Sequence, residues 1–215
     1  MISLNSADLV ALFVAVAEAI EDDKGRLSEL DGVIGDGDHG VTMSIGFLAV
    51  RKALDGLDAA GEAPTAVFNT AAKSFLGAVG ASAGPLYATA FMRAGAAVKD
   101  KASIDAAAMA DVIAAMAKGV QDRGKAESGE KTMVDAWLPA ATAAQAAAGS
   151  GSLATVLQAA AVAAAEGAES TRQMVATKGR SANLGERSLG HIDPGAASTA
   201  LIVATMAKAV ESPAE

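Results

Sequence analysis

Residues 30–42 read LDGVIGDGDHGVT. Three carboxylates, Asp31, Asp36 and Asp38, fall within eight positions, interleaved with Gly32, Gly35, Gly37 and Gly40 and followed by His39. Each glycine costs roughly 1 kcal/mol against alanine inside a helix, so the stretch is expected to be a tightly turning loop between two helices. Carboxylates crowded into one loop repel one another unless a cation stands between them, and a hard divalent cation bound through oxygen is the common answer. The stretch reads as a magnesium loop; a solvated acidic turn is the other reading.

Familiar motifs do not fit it. Gly35, Gly37 and Gly40 match G-x-G-x-x-G, but a dinucleotide fingerprint follows a strand, and aspartates between its glycines would face a pyrophosphate directly. An EF-hand beginning at Asp36 would have Gly40 at its third ligand position and Phe47 in place of the final glutamate. Residues 124–132 resemble a P-loop with Glu130 where the lysine belongs, and a helix precedes them instead of a strand.

Working outward, helical spacing dominates. Asn5 or Ser6 caps a first helix, which Leu9, Leu12, Phe13, Val16 and Ile20 carry until Asp22, Asp23 and Gly25. Further helices are expected at about residues 41–57, 64–79 with Pro64 first, 86–98, 104–120, 132–148 with a bend at Pro139, 153–174 capped by Ser152, and 195–210. That makes eight helices, no strand and one all-α domain spanning 1–215. Hydrophobic residues make up 52% and aromatic ones 3%, the composition of closely packed helices built on alanine, leucine, valine and methionine. Trp137 is expected in the core.

A net charge of −8 with scattered Lys and Arg excludes a nucleic-acid surface. No cysteine, no basic leader and no long apolar run give the expectation of a cytoplasmic protein without a membrane span. The polar, glycine-rich connections follow the first, third, fifth and seventh helices, and in an up-and-down arrangement these lie at one end. They bring together the acidic loop, the turn at Ser82, the turn at Gly124 and a long polar segment, 177–194, carrying Lys178, Arg180, Arg187, His191 and Asp193. A helix beginning on the acidic loop points its free amides at an anion. Such parts suit a magnesium nucleotide and phosphoryl transfer.

GDGDHG at 35–40, GPLYATAF at 84–91, RGKAESGEKTMVDAW at 123–137 and KGRSANLGERSLGHIDPGA at 178–196 resemble the nucleotide-binding L subunit family of dihydroxyacetone kinase. The motifs lie in the family's order and cover essentially the whole chain. The resemblance implies an eight-helix antiparallel barrel with the nucleotide, ADP or ATP, among the loops at one end. It places metal ligands at Asp31, Asp36 and Asp38, holding two magnesium ions, and these with Arg180 would carry the catalysis. Nucleotide contacts would fall on His39, Gly40, Val41, Thr42, Ser82, Ala83, Gly124, Met133, Arg180, Asp193, Pro194 and Gly195. The serine stands one residue from the family's usual place, so either the Ser82 hydroxyl or the local amides would meet phosphate.

The resemblance also implies partners: a K subunit holding dihydroxyacetone, and a phosphohistidine protein of the phosphotransferase system that recharges bound ADP. Two alternatives stay open. One is a kinase using exchangeable ATP on dihydroxyacetone or a ketose such as erythrulose; the other is a helical regulator that senses nucleotide.

Overall fold

The computed structural model describes residues 3–149 and 151–211. Met1, Ile2 and residues 212–215, at the ends of the expected domain, and Ser150, in the expected turn after the sixth helix, lie outside them. Among the described residues eight α-helices follow in order: α1 (Ser6–Ile34), α2 (His39–Leu54), α3 (Pro64–Ala78), α4 (Ala83–Ala97), α5 (Ala106–Gly124), α6 (Val134–Ala148), α7 (Leu153–Ser170) and α8 (Pro194–Glu211). Each packs against the next, and α8 returns to α1, so the helices close into a ring. Pairing of extended backbone among the described residues is confined to one isolated bridge, Leu4 with Ile104.

The ring encloses a filled core. All seven aromatic side chains are buried. Phe13, Phe47, Phe68, Phe75, Tyr87 and Phe91, all on α1–α4, interlock mostly edge to face with centroids 5.2–6.2 Å apart. The α5–α8 half is filled by alanine, valine, leucine and methionine around Trp137. Small residues there let backbones touch: Pro139 lacks the N–H that would bond the Asp135 carbonyl, and α7 approaches that carbonyl through Gly167. The helix itself continues through Pro139.

Several boundaries differ from the sequence expectation. α1 does not stop near Gly25; it runs on to Ile34. Burying Leu27 and Ile34 contributes about 1.5–3 kcal/mol each, which outweighs the roughly 1 kcal/mol cost of one exposed glycine. Arg26–Asp23 and Lys24–Glu21 pairs support the solvent face. Asp31 therefore sits on a helix, and the turning loop shrinks to 35–38. α2 begins two residues earlier than expected, at His39, and ends at Leu54. α4 starts at Ala83, taking Pro85 into its first turn, where a missing N–H costs little. α5 extends to Gly124 and ends on Lys125 in the left-handed region at φ 53°. α7 stops at Ser170 in favour of a 3₁₀ turn, Thr171–Gln173. The segment 177–194 is not structureless: Ser181–Ser188 forms 3₁₀ turns broken at Gly185.

Candidate metal and nucleotide site

Because neighbouring helices alternate in direction, the connections after α1, α3, α5 and α7 meet at one end. They enclose a cavity of ≈ 560 Å³ lined, among others, by His39, Ser82, Ala83, Gly124, Met133, Asp193, Pro194 and Gly195. Every even-numbered helix starts there, so α2, α4, α6 and α8 direct their first-turn amides and positive dipole ends toward the cavity.

The acidic cluster forms at its edge. One carboxylate oxygen from each of Asp31, Asp36 and Asp38 lies within 4.8 Å of the others. Local structure explains the convergence. Asp31 is buried on the last turn of α1, and its Oδ2 accepts the His39 backbone N–H at 3.2 Å. That bond takes over part of the capping of α2, so Asp38, at the N-cap position, makes no capping bond with its side chain. Gly37, at φ 78°, reverses the chain between Asp36 and Asp38. The donor set is all carboxylate oxygen, which fits a hard cation such as Mg²⁺ and not a thiophilic one.

Arg180, from the turn preceding Ser181–Ser188, reaches across from the α7–α8 connection and pairs with Asp36. His39, the first residue of α2, meets the Ser198 hydroxyl of α8 through Nε2 at 2.9 Å. Burial lowers the His39 pKa, against a raising influence from Asp31. Gly40 lies on the α1 side: a Cβ there would fall on the carbonyl oxygen of Lys24. Val41 turns its side chain to solvent, half exposed, and the Thr42 N–H is used on the Asp38 carbonyl at 2.8 Å. Any contact of Val41 or Thr42 with a cavity ligand falls to atoms other than these. Ser82 precedes α4 and makes no capping bond with its side chain.

Asp193, just before α8, accepts the Ala196 N–H at 2.7 Å. Burial pushes its carboxyl up to about 7; the Ala196 amide and Lys131 oppose this, and Asp135 and Asp31 add to it. An unfolded aspartate titrates near 4. Between about pH 4 and 7 the folded protein therefore holds a proton that the unfolded chain has lost, so this group's contribution falls as pH rises through that window and is flat above it. In urea unfolding with EDTA across pH 4 to 8, Asp193→Asn is expected to remove a decline on the order of 3 kcal/mol relative to the unsubstituted chain. Parallel pH profiles would refute the assignment.

Two buried charged residues were not singled out from the sequence. Asp135, in the first turn of α6, accepts the Thr132 N–H at 2.9 Å and the Gly129 N–H at 2.6 Å, holding the chain that leads into the helix. The spacing Thr132-x-x-Asp135 is the legible signal for it. Lys131, also at the cavity wall, is 1% exposed; within a P-loop comparison that fails, nothing local marks it.

The DAK2 domain model matches residues 33–208. The chain belongs to the DhaL family of dihydroxyacetone kinase subunits. It is 41% identical to the ADP-binding subunit DhaL of PEP-dependent dihydroxyacetone kinase 1 of Listeria innocua, over 88% of this chain and 89% of the relative. The DhaL subunit of the PTS-dependent kinase of Lactococcus lactis is 38% identical, over 90% and 92%. The crystal structure of the dihydroxyacetone kinase from C. freundii with AMP-PNP and Mg²⁺ superposes with a TM-score of 0.73 at 27% identity. That alignment covers 97% of this DhaL-family chain but 35% of the longer C. freundii chain.

Proposed function

We propose that this chain is the nucleotide-carrying L subunit of a dihydroxyacetone kinase, acting as one domain. It holds ADP or ATP with magnesium and passes the γ-phosphoryl to dihydroxyacetone presented by a K subunit. A phosphohistidine protein of the phosphotransferase system recharges ADP in place, in the cytoplasm. The observation that carries this reading is the convergence of three carboxylates within 4.8 Å at the rim of a cavity toward which four helix N-termini point. The roles of the relatives, ADP-binding subunits of PEP- and PTS-dependent kinases, and a nucleotide with Mg²⁺ in the C. freundii structure support it.

Asp31, Asp36 and Asp38 would hold the metal, two ions in this reading. Bound there, magnesium neutralises phosphate charge and acts as a Lewis acid toward the transferred group. The remaining work belongs to the chain's own groups. First-turn amides of α2, α4 and α8, other than those of His39 and Ala196, which are bonded to Asp31 and Asp193, bind phosphate oxygens, with Ser82 and Ala83 at the start of α4 close to the ligand. Met133 and the Gly124 turn flank the rest of the nucleotide. Arg180 is placed to counter charge developing on the phosphoryl in flight. His39 is held by its bond to Ser198 and meets the ligand through hydrogen bonding.

An exposed apolar face adjoins the site. Val41, Ile45 and Leu48 are exposed along one face of α2, spaced four and three residues apart. Leu76 is exposed near the end of α3, beside Phe75, whose ring contacts α2 at Gly46. An apolar face beside a catalytic mouth suits a protein that brings the acceptor.

The test is a ligand assay. With one Trp and one Tyr, the protein absorbs weakly near 280 nm, so bound adenine dominates its spectrum. Purified protein is expected to retain ADP through gel filtration with Mg²⁺ and release it in EDTA. With a K subunit it should phosphorylate dihydroxyacetone from a phosphohistidine donor and not from free ATP. Failure to take up nucleotide would end the kinase reading; turnover with freely exchanging ATP would end the recharging arm.

A further inference from the structure

Lys131 is a buried cation with an unusual set of partners. Its φ of 59° is left-handed, a costly conformation for a long side chain unless its surroundings fix it. The ammonium donates to the Thr171 carbonyl at 2.5 Å and to the His191 carbonyl. No carboxylate forms an ion pair with it among the described residues. Burying an ammonium costs several kcal/mol even when hydrogen-bonded, and methionine would fill the same space. The charge has a structural use.

Its two acceptors locate that use. Thr171 begins the 3₁₀ turn that follows α7, and His191 lies three residues before α8. One ammonium therefore grips both roots of the segment 172–190, which carries Lys178 and Arg180. The roots are also tied to each other: the Gly190 N–H donates to the Arg172 carbonyl at 2.8 Å, and the Asp193 N–H donates to the Thr171 hydroxyl at 2.9 Å. Those bonds close the segment on itself without attaching it to the cavity wall. Attachment comes from the α5–α6 connection: the Glu130 carbonyl accepts the Thr177 N–H at 3.3 Å, its carboxylate pairs with Lys178 at 3.5 Å, and Lys131 supplies the buried anchor.

We propose that Lys131 is a positioning residue that fixes the 172–190 segment against the α5–α6 wall and so holds Arg180 over Asp36. The consequence for nucleotide rests on the function proposed above; the anchoring itself does not. In the full-length protein, Lys131→Met should leave helical content unchanged and raise amide hydrogen exchange within 174–191, without ligand. It should weaken Mg·ADP binding about 10-fold, the scale of losing an outer-shell support. Because it acts through Arg180, the double variant Lys131→Met/Arg180→Gln should bind no more weakly than the weaker single variant.

Unchanged exchange in 174–191, or additive losses in the double variant, would overturn the proposal. Should Lys131→Met not fold, Lys131→Gln, which retains a donor for one carbonyl, takes the same measurements. Absence of Mg·ADP binding by the unsubstituted chain would instead defeat the functional reading, and the exchange measurement would still decide the anchor.

Discussion

Asp36→Asn is expected to lower retention of Mg·ADP on the order of 100-fold or more, the loss expected when one of three anionic ligands to a hard cation becomes neutral. The same change should hardly touch the fold. The Asp36 side chain is 35% exposed and its partner Arg180 is more exposed still, and an ion pair in that setting is worth about 0–1 kcal/mol. Removing one of three carboxylates within 4.8 Å also relieves repulsion that the metal-free protein must tolerate. Helical circular dichroism and the melting midpoint in EDTA should match those of the unsubstituted chain, while the midpoint shift on adding Mg·ADP disappears. If the variant loses its helices, Asp36 is structural; if it keeps the ligand-induced shift, the metal site lies elsewhere.

The second large effect is on stability and lies at a residue with no charge. In Gly40→Ala the new methyl group would overlap the Lys24 carbonyl and press on the Ser28 hydroxyl. The Lys24 carbonyl belongs to the helical backbone of α1 and cannot swing aside, so α2 must move away from α1. A forced shift between packed helices costs about 3 kcal/mol, which for a chain of this size lowers the melting midpoint by about 6–12 °C. The loop 35–38 moves with α2, so the separation of Asp31 and Asp38 opens and Mg·ADP retention should fall as well. Gly77→Ala is the control. Nothing lies within 4 Å of its added methyl, and alanine in α3 should be neutral or stabilising by up to about 1 kcal/mol. Equal melting midpoints for Gly40→Ala and the unsubstituted chain would mean that the α1–α2 crossing is looser than described.

Much of the architecture was legible because it follows from local chemistry. Apolar residues at helical spacing, a cap at Asn5 or Ser6, the Ser152 cap and Pro64 at a helix start each act within one turn, and all three starts match, with Asn5 the cap of α1. The end of α1 was not legible, because Gly25 is a local stop signal overridden by burial of Leu27 and Ile34 against other helices. The same override moved Asp31 from a loop onto a helix and gave its carboxylate the His39 amide. In the segment 177–194, polar composition suggested irregular chain. The order it has comes from contacts such as Ser188 Oγ with the Ala176 N–H at 2.9 Å, a pairing across the segment that no short window displays.

The candidate site divides in the same way. Asp31, Asp36 and Asp38 could be nominated from sequence, since their crowding within eight positions is itself an electrostatic statement. Lys131 could not, because its meaning depends on two carbonyls 40 and 60 residues away. Nor could the role of Gly40 as a contact point between α1 and α2.

By itself the sequence determined that the chain is helical, where most helices start, and which loop concentrates negative charge, because propensity, capping and like-charge repulsion act over a few residues. Only the tertiary structure decided how those parts meet: that α8 closes on α1, that Arg180 stands on Asp36, and that one buried ammonium holds two distant chain segments. Those contacts join residues far apart in the chain, and the energy that selects them comes from burial and hydrogen bonding across helices rather than along them.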